Sequence, residues 1–122
     1  GTNVNSAARL RASRRGRYLQ LSGHSLAPTA ADPSLDGWLL ASARQCLATV
    51  AQAGGRAADV CRLTVFVAAP AWRRAGLNDA GPLQRRLQAL WPTGAAPSIT
   101  VSVVEGLPSD APLQVDALAW LD

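Results

Sequence analysis

The chain has 122 residues, of which 48% are hydrophobic and 16% charged, and its formal net charge is +4 at pH 7. This length suits one domain, so we expect a single domain over residues 1–122. The high apolar and low charged content exclude an intrinsically disordered chain. No apolar run approaches the ~18 residues of a membrane helix, and no signal peptide is evident, so we expect a cytoplasmic protein.

Two segments near the N-terminus predict a β-hairpin. Residues 17–23, RYLQLSG, alternate between polar and apolar and predict a strand, with which the shorter run Ala8–Ala12 is expected to pair. Residues 25–33 contain two prolines and several small residues, which predicts a loop. Ser34 then offers an N-cap to the element that follows.

The middle of the chain predicts the main helix and an interior strand. From Leu35 to Ala53 the apolar residues recur mostly at three- and four-residue steps, as on one face of a helix. Gly54 and Gly55 are expected to end this helix, because glycine adopts the left-handed conformation without a steric penalty. Residues 60–67, VCRLTVFV, are β-branched and weakly polar, which favours an interior strand.

The C-terminal half predicts a second helical region and two strands. Between Pro70 and Trp91 the helical pattern is broken by two glycines and by Pro82, so we expect a short helical piece and then a helix over Leu83–Leu90. Residues 98–104, SITVSVV, and 113–121, LQVDALAWL, alternate and predict the last two strands.

The element order β-β-α-β-α-β-β predicts an α/β (α+β) fold in which a single sheet carries two helices on one face. Side chains alternate between the faces of a strand, so four apolar residues of the last two strands cannot all face the helices: Val101, Val103, Val115 and Leu118. We therefore expect a second copy of the chain to cover the other face.

The cysteines and arginines leave few other functions open. Cys46 and Cys61 lie in apolar stretches without a second ligand nearby, so we expect two buried thiols and no metal. No phosphate loop or nucleophile elbow is present, and we expect no cofactor. Five arginines cluster near the N-terminus: Arg9, Arg11, Arg14, Arg15 and Arg17. They either bind nucleic-acid phosphates or form a solvated or intersubunit surface, and we favour the second interpretation.

Four segments carry an ordered pattern. Residues 18–24, YLQLSGH, are a hydrophobic strand ending in Ser-Gly and a polar residue, and residues 43–55, ARQCLATVAQAGG, are a helix with an Ala-Gly turn. Residues 59–67, DVCRLTVFV, are a strand after an aspartate, and residues 98–119 are a strand pair with Leu107-Pro108 between its members. In this order the segments resemble the Rid (YjgF-like) family.

The resemblance implies a chorismate-mutase-like homotrimer whose three intersubunit clefts bind small carboxylate-bearing metabolites. Deaminating members hydrolyse enamines and imines without a metal or cofactor. An Arg at the start of the penultimate strand holds the substrate carboxylate in those members, and a Glu on the last strand is thought to position the water.

This chain departs from that pattern at both positions. The Arg position falls at Ser98 when TVSV is aligned, or at Ile99 in an ungapped match from Leu107-Pro108, and neither residue forms a bidentate carboxylate contact. The Glu position falls at Gln114, which cannot accept a proton at neutral pH. Asp116, two residues on and facing the same side, is the nearest ionisable replacement.

His24, the only histidine, stands where the family has Gln, and its imidazole suits acid or base work at neutral pH. A surface histidine without a role is the alternative. We expect His24 and Asp116 to be the catalytic pair. Arg62 lies within a strand and either reaches a ligand carboxylate or pairs with an aspartate. The expected substrate-binding residues are Arg62, Ser98, Thr100, Ser102 and Gln114.

The leading interpretation is a divergent Rid-like protein that binds a small carboxylate metabolite in intersubunit clefts. The candidate reactions are deamination, hydrolysis or a tautomer shift of an imine or enamine in a biosynthetic pathway. The alternative is a non-catalytic trimeric binding or assembly module. Nucleic-acid binding through the N-terminal arginines is a third interpretation, and nothing in the sequence indicates a membrane partner.

Overall fold

The structure is a computed structural model that describes residues 11–27 and 34–121, without the side chains of Arg11 and His24. One five-stranded sheet has the order β1-β2-β5-β3-β4, in which only β3 and β4 are parallel. This confirms the predicted mixed fold. The elements are β1 (Arg11–Arg15), β2 (Tyr18–His24), α1 (Leu35–Gln52), β3 (Val60–Ala68), α2 (Ala69–Arg74), α3 (Gly81–Gln88), β4 (Ser98–Val104) and β5 (Leu113–Trp120).

The predicted N-terminal hairpin is present, and its first strand extends beyond the predicted end. Of the expected strand Ala8–Ala12, Arg11 and Ala12 belong to β1, and residues 8–10 lie outside the described part of the chain. β1 continues to Arg15 and pairs with β2 in antiparallel register. Residues 12–17 are all exposed, so this edge segment has no period-two apolar pattern by which its bounds could be predicted.

Helix α1 begins and ends close to its predicted bounds. The hydroxyl Oγ of Ser34 accepts a hydrogen bond from the backbone N–H of Gly37 at 3.0 Å, which is the predicted N-cap. At the other end Gly54 has φ +90°, a conformation that glycine adopts readily, and the chain leaves the helix there.

The predicted short helical piece followed by a second helix is confirmed, but with different bounds. Helix α3 begins at Gly81, and Pro82 lies in its first turn. A backbone N–H in the first turn has no partner inside the helix, so proline removes no hydrogen bond at that position. The second helical region is thus α2 followed by α3, and α3 begins and ends two residues earlier than the predicted Leu83–Leu90.

The helices pack on the side of the sheet that carries the hydrophobic core. Buried residues of β3 and β5, including Leu63, Val65 and Val115, alternate with residues that point the other way. The strand register assigns Val101, Val103 and Val115 to the helix side and Leu118 to the opposite side. The prediction that the four valine and leucine residues cannot share a face is therefore confirmed.

We call the side of the sheet opposite the helices the open face. Its residues on the four strands β2 to β5 combine aromatic and apolar side chains with polar ones. The register gives the following set: Tyr18 and Gln20 on β2; Arg62, Thr64 and Phe66 on β3; Ser98, Thr100 and Ser102 on β4; Gln114, Asp116, Leu118 and Trp120 on β5.

Candidate functional site

The open face brings six of the seven predicted site residues together. Strands β4, β3 and β5 are neighbours, and adjacent strands lie about 4.8 Å apart. The register pairs Arg62 with Ser98 and Leu118, Thr64 with Thr100 and Asp116, and Phe66 with Ser102 and Gln114. We call the polar members of these rows the polar cluster: Arg62, Thr64, Ser98, Thr100, Ser102, Gln114 and Asp116.

Arg62 is an exposed cation in the polar cluster. It lies directly across from Ser98 on β4. Among the described residues the ion pairs are Arg56–Asp59 and Arg86–Asp36, and no carboxylate pairs with Arg62. Of its two predicted roles, pairing with an aspartate is therefore not seen among the described residues, and contact with a ligand carboxylate stays a prediction.

Asp116 is the carboxylate of the polar cluster, and one of its oxygens is already occupied. Its Oδ1 accepts a hydrogen bond from the backbone N–H of Gly23 at 3.0 Å and another from Nε2 of Gln114 at 3.1 Å. Gly23 has φ +81° and lies where the pairing of β2 with β5 shifts register, between Leu21 and His24. Asp116 thus ties β5 to this irregular part of β2.

The backbone of His24 ends β2 beside Val115 of β5. His24 directly follows Gly23, whose backbone N–H donates to the carboxylate of Asp116. The imidazole lies outside what the structure describes, and its catalytic role stays a prediction.

The two cysteines differ in their surroundings. Cys46 is fully buried on α1, and this burial, with a smaller contribution from the negative charge of Asp116, raises the pKa of its thiol well above the usual range. Cys61 is exposed, which corrects the prediction that both are buried. The pairing of β3 with β5 shifts between Val60 and Arg62, and this irregularity removes Cys61 from the regular alternation.

Sequence reasoning missed Thr64 and the contact between Tyr18 and Trp120 on the open face. Thr64 lies between Thr100 of β4 and Asp116 of β5 in the register, and the alternation of VCRLTVFV contains the signal, since Arg62, Thr64 and Phe66 are two residues apart. The rings of Tyr18 and Trp120 meet edge to face with centroids 4.5 Å apart.

Three of the N-terminal arginines, Arg14, Arg15 and Arg17, are exposed around the β1–β2 turn. Nε of Arg14 donates to the carbonyl oxygen of Gly16 at 2.9 Å, which is a local contact. Arg9 and the side chain of Arg11 lie outside the described part. Both interpretations of this group, the favoured solvated or intersubunit surface and the alternative of phosphate binding, stay predictions.

A hollow of about 670 Å³ lies on the helix side of the sheet, and no residue of the polar cluster lines it. The cluster lies on a sheet surface, so it becomes a cleft only when another surface covers it. No group of three potential metal ligands occurs among the described residues. None of the helices in this part of the chain combines the length and apolar character needed to cross a bilayer.

No protein-family model matches the sequence, and no curated protein matches it significantly. Solved structures do match. TdcF of E. coli, solved with bound serine, is 21% identical, with a TM-score of 0.70 over 91% of this chain and 86% of TdcF. The YjgF gene product of E. coli is 22% identical, with a TM-score of 0.68 over 89% of this chain and 84% of that one. YyfA of Yersinia pestis, from the conserved Rid protein family, is 15% identical, with a TM-score of 0.72 over 90% and 85%.

The chain has the YjgF-like fold. Within this fold the two candidate positions for the family's arginine lie on opposite faces of the sheet. Ile99 pairs with Leu63, which is buried in the core, and so faces the helices. Ser98 pairs with Arg62 and faces the polar cluster. Ser98 is therefore the candidate position that lies on the open face, and Arg62 stands across from it on the neighbouring strand.

Proposed function

We propose that this chain is a divergent Rid protein that assembles as a homotrimer and binds a small carboxylate metabolite over the polar cluster. The observation that carries the proposal is Arg62, an exposed arginine on the open face with no carboxylate partner among the described residues. A planar guanidinium forms two parallel hydrogen bonds with a carboxylate, which is the contact that Ser98 cannot make.

Serine stands at residue 98, where the family pattern has arginine, and the position of Arg62 compensates for this change. Arg62 and Ser98 are directly paired across β3 and β4, so a guanidinium at residue 62 enters the same region of the open face from the next strand. The missing family arginine therefore need not mean a lost anion site. The serine bound to TdcF, a protein with the same fold, supports a ligand of that size with a carboxylate.

The rest of the polar cluster suits the other end of such a ligand. Thr100 and Ser102 offer hydroxyl groups that both donate and accept, and Gln114 offers an amide. With His24 as the group that transfers protons, this set fits hydrolysis, deamination or a tautomer shift of an imine or enamine. None of these reactions requires a metal or a cofactor.

Assembly through the open face would complete the site. Tyr18 and Trp120 are 46% and 40% exposed, which is unusual for large aromatic side chains, and Leu118 lies beside them in the register. Covering them with a second copy would bury apolar area and would enclose the neighbouring polar cluster.

The test is a calorimetric titration of the full chain with pyruvate, as a probe carboxylate, before and after Arg62→Gln. Arg44→Gln is the matched control, because Arg44 is an exposed arginine on α1 on the other side of the sheet. Loss of a charge-assisted contact predicts a fall in affinity of about tenfold or more for Arg62→Gln and none for the control. Equal affinities for the two variants would contradict the proposed site.

A second assay separates catalysis from binding. The protein is mixed with freshly generated 2-aminoacrylate and the formation of pyruvate is followed. A rate above buffer that Arg62→Gln abolishes supports an enamine or imine hydrolase. Pyruvate binding without any acceleration assigns the chain to the alternative class, a non-catalytic trimeric binding module.

A further inference from the structure

The backbone that follows the regular part of β2 is held from two sides by polar side chains of distant elements. On one side the N–H of Gly23 donates to Oδ1 of Asp116 on β5. On the other side the N–H of Leu26 donates to Oγ of Ser42 on α1 at 2.9 Å, and Oγ lies 3.5 Å from the carbonyl oxygen of Leu26. His24 lies between these two attachments.

Burial of the Ser42 hydroxyl on α1 opposes folding unless the hydroxyl is hydrogen-bonded. Ser42 is completely buried on the core side of α1, where Leu39, Ala43 and Cys46 are its buried neighbours. A hydroxyl buried there is unfavourable unless it is hydrogen-bonded, and the bonds of Ser42 go to the backbone of Leu26. The core thus contains a polar group whose contacts serve to hold the segment that carries His24.

Asp116 has the same kind of contact. Its Oδ1 accepts two hydrogen bonds, from Gly23 and from Gln114, and the Gly23 bond spans 93 positions of the sequence. Gly23 adopts φ +81° at the register shift, so a specific acceptor is needed to satisfy its N–H at that point. The carboxylate is therefore engaged in fixing the backbone rather than free for proton transfer at that oxygen.

We propose that Asp116 and Ser42 are positioning residues that together fix the backbone from Gly23 to Leu26 and thereby locate His24 at the edge of the polar cluster. This inference rests on the proposed function only in treating His24 as part of the site. The two contacts themselves are independent of any ligand.

The experiment uses NMR of the full, isotope-labelled chain, whose single histidine gives one set of imidazole signals. Amide hydrogen exchange at Gly23 and Leu26 and the His24 imidazole shifts are compared in Asp116→Ala, Asp116→Asn and Ser42→Ala. We expect the Gly23 amide to exchange about tenfold or more faster in Asp116→Ala. In Asp116→Asn the side-chain carbonyl still accepts, so most of the protection at Gly23 is retained.

Ser42→Ala should raise exchange at Leu26 in the same way, and both alanine variants should move the imidazole signals. Asp59→Ala is the matched control, because its carboxylate also accepts a backbone N–H, that of Arg56 at 2.8 Å, in a separate turn. The control should leave Gly23, Leu26 and His24 unchanged.

Two results would overturn the assignment for Asp116. One is unchanged amide exchange at Gly23 in Asp116→Ala, and the other is a loss of protection at Gly23 in Asp116→Asn as large as in the alanine variant. If Asp116→Ala fails to fold by circular dichroism, Asp116→Val takes its place, because valine also lacks the acceptor and suits a strand. Unchanged exchange at Gly23 in Asp116→Val would overturn the assignment for Asp116, and unchanged exchange at Leu26 in Ser42→Ala would overturn that for Ser42. These outcomes do not depend on pyruvate binding, so a failed ligand titration and a failed positioning role are distinguishable.

Discussion

Removal of the indole at Trp120 should weaken self-association through the open face. Trp120 is 40% exposed in the isolated chain. A large aromatic side chain presents about 200 Å² of surface, so about 80 Å² of Trp120 remains to be covered by a partner. At about 25 cal/mol per Å² this corresponds to about 2 kcal/mol for each subunit, or a roughly 30-fold weaker association.

The assay is light scattering on chromatographed protein over a range of concentrations, comparing wild type with Trp120→Ala. Val103→Ala is the control, because Val103 is also an exposed apolar residue, at 47%, but lies on the helix side of the edge strand β4. We expect a trimer mass for wild type and the control, and a shift toward monomer for Trp120→Ala. Identical masses for all three proteins at every concentration would refute the role of the open face.

Three further predictions concern the cysteines and the stability of the fold. Iodoacetamide at pH 8 should label Cys61 in the folded chain and leave Cys46 unlabelled, and equal labelling would contradict the buried thiol. Burial keeps the thiol of Cys46 protonated in the folded state, whereas the unfolded chain releases that proton near the ordinary pKa of 9.0. The free energy of unfolding should therefore fall above about pH 9, and it should fall by more in wild type than in Cys46→Ala. Parallel pH curves for the two proteins would show that the raised pKa is absent. In urea titrations Leu87→Ala should lower the free energy of unfolding by about 2–5 kcal/mol, because Leu87 is fully buried. Asp36→Asn should lower it by less than about 1 kcal/mol, because both members of the ion pair with Arg86 are exposed. Equal losses of stability in the two variants would contradict this packing.

Period-two alternation explains why much of the candidate site could be predicted. The alternation of SITVSVV and LQVDALAWL determines which residues share a face, and it correctly grouped Ser98, Thr100 and Ser102, and Gln114 with Asp116. The same rule, applied to VCRLTVFV, would also have found Thr64. Side-chain direction is a local property of a strand, so a single sequence contains it.

Features that depend on distant contacts could not be predicted in this way. The bond from Gly23 to Asp116 joins residues far apart in sequence, and the exposure of Cys61 follows from a register shift between two strands. Which of Ser98 and Ile99 lies on the open face also required the pairing with β3. The start of α3 was placed two residues too late because the sequence alone does not say whether a proline precedes a helix or lies in its first turn.

The most direct test of the ligand site is an NMR titration that follows the guanidinium Nε–H signal of Arg62 as pyruvate is added to the full chain. We expect a saturable shift of that signal, together with saturable shifts of the backbone amides of Ser98 and Thr100 on the neighbouring strand. Saturable shifts confined to the helix side of the sheet, with the Arg62 signal unmoved, would contradict this expectation.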